Sequence, residues 1–256
     1  MTARLSEPEI RARIAAVPIW YHVLELAPGI ITPGEFDMRP FVSRYGFPDS
    51  LAGLSVLDVG ASNGFFSFHL ERLGAARVVA AELRTSLDHD VPRWYREKWT
   101  AERGPAEIAR IDREELEAGF ALAREALGSR VERRRAHVYE LGDAMPGEFD
   151  LALVSNLLHH LRDPVGALES VRGTLRRGGR LILACSCDLS VDASYGIFYG
   201  TLEPHVMWWV MSREAILRMC RMAGFDRIEW KGSFEFTPTS HPERVGTMGI
   251  LHAVAP

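Results

Sequence analysis

From Val56 onward, short apolar runs alternate with longer amphipathic stretches, the pattern of strand–helix–strand units built on a mainly parallel sheet. Residues 55–59 read as the first strand and 65–73 as the helix after it. Further strands are predicted at 77–81, 133–138, 149–154 and 180–184. Between the second and third lies a long, charged, helical stretch, 94–127, interrupted near Gly104-Pro105. Residues 164–175 make the helix before the fifth strand, with Arg176-Arg177-Gly178-Gly179 as its stop signal. A helix over 211–223, stopped at Gly224, and strands over 225–230 and 246–254 complete the pattern. The predicted fold class is α/β, a doubly wound sheet occupying residues 51–256 as one globular unit.

Two stretches fall outside the alternation. Residues 1–50 combine Trp20-Tyr21-His22 with the turns Pro28-Gly29 and Pro33-Gly34, and read as a helix followed by an irregular segment draped over the sheet. Residues 188–209 are aromatic and turn-rich, and read as a lid inserted after the fifth strand. Both are expected to cover a cleft, because a group-transfer site gains from excluding water.

Composition narrows the function classes. The 256 residues carry a formal net charge of −4, so no global positive field draws nucleic acid or an anionic membrane. Cys185, Cys187 and Cys220 are too few for a disulfide framework and lack the spacing of zinc ligands. No apolar run approaches the roughly 20 residues of a membrane span, and Met1 to Pro8 has no apolar stretch after its charges. A cytoplasmic protein is the expectation.

The chemistry concentrates in Val56-Leu57-Asp58-Val59-Gly60-Ala61-Ser62-Asn63-Gly64, where an apolar strand enters a glycine turn and then a helix. Gly60 and Gly64 let the backbone turn tightly and approach a ligand with no Cβ in the way. Asp58, at the carboxyl end of the strand, can accept a hydrogen bond from a bound ammonium or an ordered water. The spacing Asp-x-Gly-x-x-x-Gly differs from the GxGxxG dinucleotide fingerprint. Eighteen residues beyond Gly64, Glu82 ends the second strand, where an acid can bond both ribose hydroxyls of an adenosine.

These residues resemble the first motif, and its acidic successor, of class I S-adenosylmethionine-dependent methyltransferases. Residues 149–161, with Asn156-Leu157-Leu158-His159-His160, and Leu175-Arg176-Arg177-Gly178-Gly179-Arg180 resemble two later motifs of the same family, in order. The resemblance covers roughly residues 50 to 190. It implies a Rossmann-like seven-stranded sheet with one antiparallel strand, and S-adenosylmethionine as cofactor. Trp20-Tyr21-His22-x-x-Glu25-Leu26 and Thr32-Pro33-Gly34-x-Phe36-Asp37-Met38-Arg39-Pro40 are similar to a bacterial subfamily described by its likeness to tRNA wobble-uridine methyltransferases. Carried over residue by residue, the resemblance places Asp58, Gly60, Ala61, Asn63 and Gly64 along the methionine half of the cofactor. It puts Glu82 on the ribose, Leu83, Val138 and Tyr139 beside the adenine, and Asn156 against the cofactor from the fourth strand. Relatives that use a carboxylated cofactor carry a tyrosine before the motif's histidine and a lysine-rich stretch ahead of the first motif. This chain has His159 and no such stretch, which favours S-adenosylmethionine itself.

Methyl transfer to oxygen or nitrogen requires a proton to be held or removed, and histidine suits that task near neutral pH. His159 and His160 follow the fourth strand at the carboxyl edge of the sheet, where ligands bind in this architecture. They are candidate general bases, against a purely structural pair. A metal set of His159, His160 and Asp163 is disfavoured, since Asp163-Pro164 reads as an N-cap before a first-turn proline. Tyr21, His22 and Arg39 in the N-terminal cover are candidate acceptor contacts, Arg39 through its carboxylate-matching fork. Tyr195, Tyr199, His205 and Trp208 of the lid could stack a flat acceptor or serve as the lid's own small core. A small, aromatic or heteroaromatic acceptor is the leading reading, and a homodimer is left open. A tRNA wobble-uridine acceptor is the alternative, with Arg130, Arg133, Arg134 and Arg135 as its footprint. A non-catalytic methyltransferase fold is the third.

Overall fold

The computed structural model describes residues 5–202 and 206–256. In chain order its elements are α1 (Glu7–Ala16), a short hairpin of β1 (Glu25–Ala27) and β2 (Ile30–Ile31), β3 (Ser55–Val59), α2 (Phe65–Arg72), β4 (Arg77–Glu82), α3 (Arg93–Ile111), α4 (Gly119–Leu127), β5 (Glu132–Arg135) and α5 (Leu141–Ala144). There follow β6 (Phe149–Ser155), α6 (Pro164–Thr174), β7 (Leu175–Ser186), β8 (Gly196–Thr201), β9 (Met207–Met211), α7 (Arg213–Met222), β10 (Asp226–Phe236) and β11 (Gly246–Val254). Seven strands form one sheet in the order β10-β11-β7-β6-β3-β4-β5. β11 runs antiparallel to both neighbours; the remaining pairs are parallel. The chain builds outward from β3 through β4 to β5, then crosses back to lay β6 and β7 on the other side. The crevice at that switch point is where open α/β sheets hold ligands.

The central strands are apolar throughout because both faces of the sheet are covered. Val56, Val78, Leu151 and Ile182 face one cluster; Leu57, Val79, Ala152 and Leu183 face the other. The N-terminal segment belongs to the first cluster, with Trp20, Leu24 and Tyr45 buried against α2 and the sheet. Phe234 and Phe236 pack beside them, Phe41 stacking on Phe234 with ring centroids 4.7 Å apart.

The structure departs from the expected elements in several places, each with a local cause. β5 stops at Arg135, and Val138–Glu140 form a 3₁₀ turn rather than strand, because His137 caps it by accepting from the Tyr139 N–H. The stretch 94–127 is helical as expected, but Gly104 at φ +73° breaks α3, and residues Asp112–Ala118 widen into a π-helical turn before α4. Arg176-Arg177-Gly178-Gly179 does not stand between helix and strand: α6 ends at Thr174, and the run is a bulge within β7, where pairing slips from Phe149↔Leu175 to Leu151↔Arg180. Met211 ends β9 rather than opening a helix, and Ser212 caps α7 by accepting from the Ala215 N–H at 3.2 Å. β10 continues to Phe236, bending at a register shift by Gly232. The lid expected to be irregular is a β-hairpin, β8 with β9.

Candidate active site

A cavity of about 660 Å³ opens over the carboxyl ends of β3, β4 and β6. Its floor is the turn after β3. Gly60 N–H and Ala61 N–H both donate to the Ala81 carbonyl, at 3.0 and 3.1 Å, folding the turn against the end of β4. Gly60 has φ +72° and lies on the cavity wall. Gly64, at φ +87°, is needed for a different reason: a Cβ there would come within 2.6 Å of Phe68 and 2.8 Å of Phe120. It does not reach the wall, and neither does Ala61. Asn63 is buried and turned away as well; its Oδ1 accepts from Tyr21 N–H at 2.5 Å, tying the N-terminal cover to the turn.

Five acids line the cavity, Asp88, Asp90 and Glu115 along with the two at the carboxyl ends of β3 and β4, Asp58 and Glu82. Asp58 is 2% exposed and accepts from Ser67 Oγ at 2.6 Å; burial nevertheless pushes its pKa up to about 6. Glu82 has both carboxylate oxygens anchored, Oε2 by Ser62 N–H at 2.8 Å and Oε1 by Leu83 N–H at 2.9 Å. Leu83 and Val138 line the wall next to it. Tyr139, expected beside them, is not on the wall. Its hydroxyl donates to Asp90 Oδ2 at 2.7 Å and accepts from Asp163 N–H at 3.0 Å, so it braces loops instead.

Asn156, directly after β6, adopts φ +54° and links three elements. Its Nδ2 donates to Tyr21 Oη at 3.3 Å, its Oδ1 accepts from Ser186 Oγ at 2.8 Å, and its N–H donates to the Ala184 carbonyl. Tyr21 and His22 both line the cavity. His22 is held neutral by burial, which pushes its pKa down to about 3, and its Nδ1 has no hydrogen-bond partner among the described residues.

The histidine pair divides. His160 lies on the cavity wall, and its Nδ1 donates to the Val206 carbonyl. A carbonyl only accepts, so in the neutral ring Nε2 is the basic nitrogen. His159 is buried beneath it, ring centroids 3.8 Å apart, off the wall and kept neutral by burial. Asp163 caps α6, accepting from the Gly166 N–H at 2.9 Å.

Several other expected contacts lie elsewhere. Arg39 forks onto Asp37 at 2.8 and 2.7 Å on the surface, since its own neighbour satisfies it. Tyr195 and Tyr199 do not reach the wall, and Tyr199 is exposed. Trp208 also stands off the wall: its Nε1 donates to the Asp90 carbonyl at 2.7 Å and the Arg162 guanidinium covers its ring, so it pins the hairpin down. His205 lies outside the described residues. The site also contains residues not anticipated. Tyr95, Trp99 and Arg103, spaced four apart, turn one stripe of α3 onto the cavity, and Phe36, Met38 and Phe236 also line it. Of the arginines considered as an RNA footprint, Arg133 and Arg135 point inward to main-chain carbonyls, while Arg134 is exposed.

The model of a methyltransferase domain family matches residues 35–229. The chain belongs to this family. It is a class I S-adenosylmethionine-dependent methyltransferase in fold and cofactor class. A ubiquinone biosynthesis O-methyltransferase from Ruegeria pomeroyi is 28% identical over 222 residues, covering 81% of this chain and 71% of that protein. A ubiquinone biosynthesis O-methyltransferase from Xanthomonas euvesicatoria is 30% identical over 52% of this chain, and the match spans 44% of its length. A tRNA U34 carboxymethyltransferase from Marinobacter nauticus is 24% identical over 68% of this chain and 44% of its own. The N-terminal domain of EvdMO1, crystallised in the presence of S-adenosylhomocysteine and D-fucose, superposes over 100% of both chains with a TM-score of 0.65 at 20% identity. Among the described residues, no helix of this methyltransferase is long and apolar enough to cross a membrane.

The cavity's donor set fits the cofactor. An ionised Asp58 suits an ammonium, the anchored Glu82 carboxylate suits a vicinal diol, and Leu83 with Val138 forms an apolar strip for a flat base. A side chain at Gly60 would enter the space where a ligand backbone must pass.

Proposed function

We propose that this methyltransferase methylates an oxygen or nitrogen of a small, uncharged and largely apolar molecule, with an aromatic or heteroaromatic ring favoured. One observation carries the reading. Among the described residues on the cavity wall the only arginines or lysines are Arg96 and Arg103, both on α3. Apolar side chains, among them Phe36, Met38, Phe236 and Met248, make up much of the rest of the wall. Such a wall leaves a carboxylate or phosphate without a counter-charge, at a desolvation cost of several kcal/mol. The relatives named for O-methylation in ubiquinone biosynthesis support a small acceptor.

S-adenosylmethionine, when bound, supplies a methyl group on a sulfonium. Glu82 would hold the ribose hydroxyls and Asp58 the ammonium of the methionine half. Asn156, braced by Ser186 and Tyr21, would stand beside the cofactor. His160 Nε2 takes the proton from the attacking hydroxyl or amine, and Val206 keeps the ring in the tautomer that allows it. The hairpin, Phe36 and Phe236 would exclude water and restrict how the acceptor lies, and alignment of this kind can supply much of the rate of such a displacement.

Matched acceptor pairs test the reading. A panel of neutral phenols and heteroaromatic amines is offered alongside the same rings bearing a carboxylate, and methyl transfer is measured. The neutral members should turn over and their carboxylated partners should lose at least about tenfold in kcat/KM. Preference for the carboxylated partners would refute the assignment.

A further inference from the structure

Arg133 and Arg135 sit on β5, off the cavity wall, with their guanidiniums on the main-chain carbonyls of residues that line it. Arg133 Nη1 donates to the Ser62 carbonyl at 3.0 Å and Nη2 to the Leu116 carbonyl at 2.8 Å. Arg135 Nη1 donates to the Leu83 carbonyl at 2.8 Å, while its Nη2 reaches the Leu116 carbonyl at 3.3 Å and Glu117 Oε1 at 3.0 Å. Ser62, Leu83 and Leu116 all line the cavity. The first two are also the residues whose N–H groups grip the two oxygens of Glu82.

Ser62 and Leu83 are therefore each held at both ends of the main chain, by Glu82 at the nitrogen and by an arginine at the carbonyl. Arg133 Nη2 lies 3.8 Å from Glu82 Oε2 and balances its charge. Ser62 adopts φ +48°, a conformation costly for a residue with a Cβ unless its surroundings impose it. Leu116 belongs to the π-helical turn, a rare geometry that concentrates at functional sites, and its carbonyl receives both guanidiniums. Burial lowers the Arg133 pKa only to about 10, so its guanidinium stays cationic at neutral pH.

We propose that Arg133 and Arg135 are positioning residues for ribose recognition: they fix the Ser62 and Leu83 peptides, and through them the Glu82 carboxylate, so that its outward lone pairs meet a vicinal diol. The inference rests on the reading of Glu82 as the ribose ligand. The planar fork of arginine holds two carbonyls in a fixed geometry that the compact ammonium of lysine does not reproduce.

The test is isothermal titration of the full chain with S-adenosylhomocysteine and with its 2′-deoxy analogue. The wild-type chain should prefer the former by about tenfold to a hundredfold. Arg133→Met and Arg135→Met should bring that ratio to within about threefold of unity, an effect that a general loss of stability, weakening both ligands alike, would not produce. Arg133→Lys should also lose the preference, and it carries the test together with Arg135→Met if Arg133→Met does not fold. Arg134→Met, exposed on the same strand, should keep the wild-type ratio. Retention of that ratio in Arg133→Lys and Arg135→Met overturns the proposal. Glu82→Gln separates the two ideas: if it too keeps the preference, Glu82 is not the ribose ligand, whereas if it alone loses the preference, only the role of the arginines falls.

Discussion

Asp58 offers a sharp test, because the feature proposed to serve the cofactor should harm the empty protein. Its carboxyl is 2% exposed, and burial raises its pKa from 3.8 to about 6 against the opposing pull of Ser67 and Arg133. A shift of about two units corresponds to about 3 kcal/mol spent on keeping the group ionised at neutral pH in the empty fold. Because the folded-state pKa lies above the unfolded one, the folded chain keeps its proton to higher pH. The stability this lends is full below about pH 4 and is lost as pH rises to about 6. Asp58→Asn removes the charge and retains an oxygen to accept from Ser67.

The variant should therefore be more stable than the wild-type chain at pH 7.5, by up to about 3 kcal/mol. That corresponds to roughly 6–12 °C in Tm for a chain of this size. At pH 4 the gap should close. Affinity for S-adenosylhomocysteine should fall at least about tenfold, since a neutral amide is a weaker partner for an ammonium. Thermal unfolding at both pH values, with and without S-adenosylhomocysteine, reads all three effects. A variant less stable than wild type at pH 7.5 would refute the reasoning, as would a stability difference independent of pH.

Other outcomes follow from the same geometry. His160→Gln should lower kcat by about a hundredfold or more with cofactor affinity nearly unchanged; a larger loss in His159→Ala would reverse the assignment of the base. Gly64→Ala should cost about 3 kcal/mol in urea denaturation through its clash with Phe68 and Phe120. Gly60→Ala meets only ordinary contacts with Leu157 at 3.6 Å, so it should lose about 1 kcal/mol of stability but far more cofactor affinity. Trp208→Phe removes the bond to the Asp90 carbonyl and should raise the acceptor KM about fivefold without touching cofactor affinity. An unchanged acceptor KM there would mean the hairpin does not need that pin.

What was legible in the sequence was local. The strand 55–59 and the turn after it could be bounded because an apolar run meets Gly60 within five residues, and Asp58 and Glu82 could be named because each is an acid at the carboxyl end of an apolar strand. The resemblance to methyltransferases rested on those residues together with the two later motifs at 149–161 and 175–180. The inward stripe of α3 was hidden because its direction depends on the break at Gly104 and on how the helix docks, and Tyr95, Trp99 and Arg103 otherwise look like part of a charged helix. Tyr139 was misplaced because its partner, Asp90, lies 49 residues away. Arg133 and Arg135 were legible only as part of a candidate RNA footprint, since the carbonyls they hold come from three segments far apart in the chain.

Whether the acceptor is a small molecule is decided with S-adenosylmethionine carrying a labelled methyl group. The enzyme is incubated with unmodified bulk tRNA in one reaction and with a small-metabolite extract of its source in another. The account predicts label in a small, extractable product whose mass begins to identify the acceptor. Label in the RNA fraction, absent with His160→Gln, would contradict it and establish tRNA as the substrate.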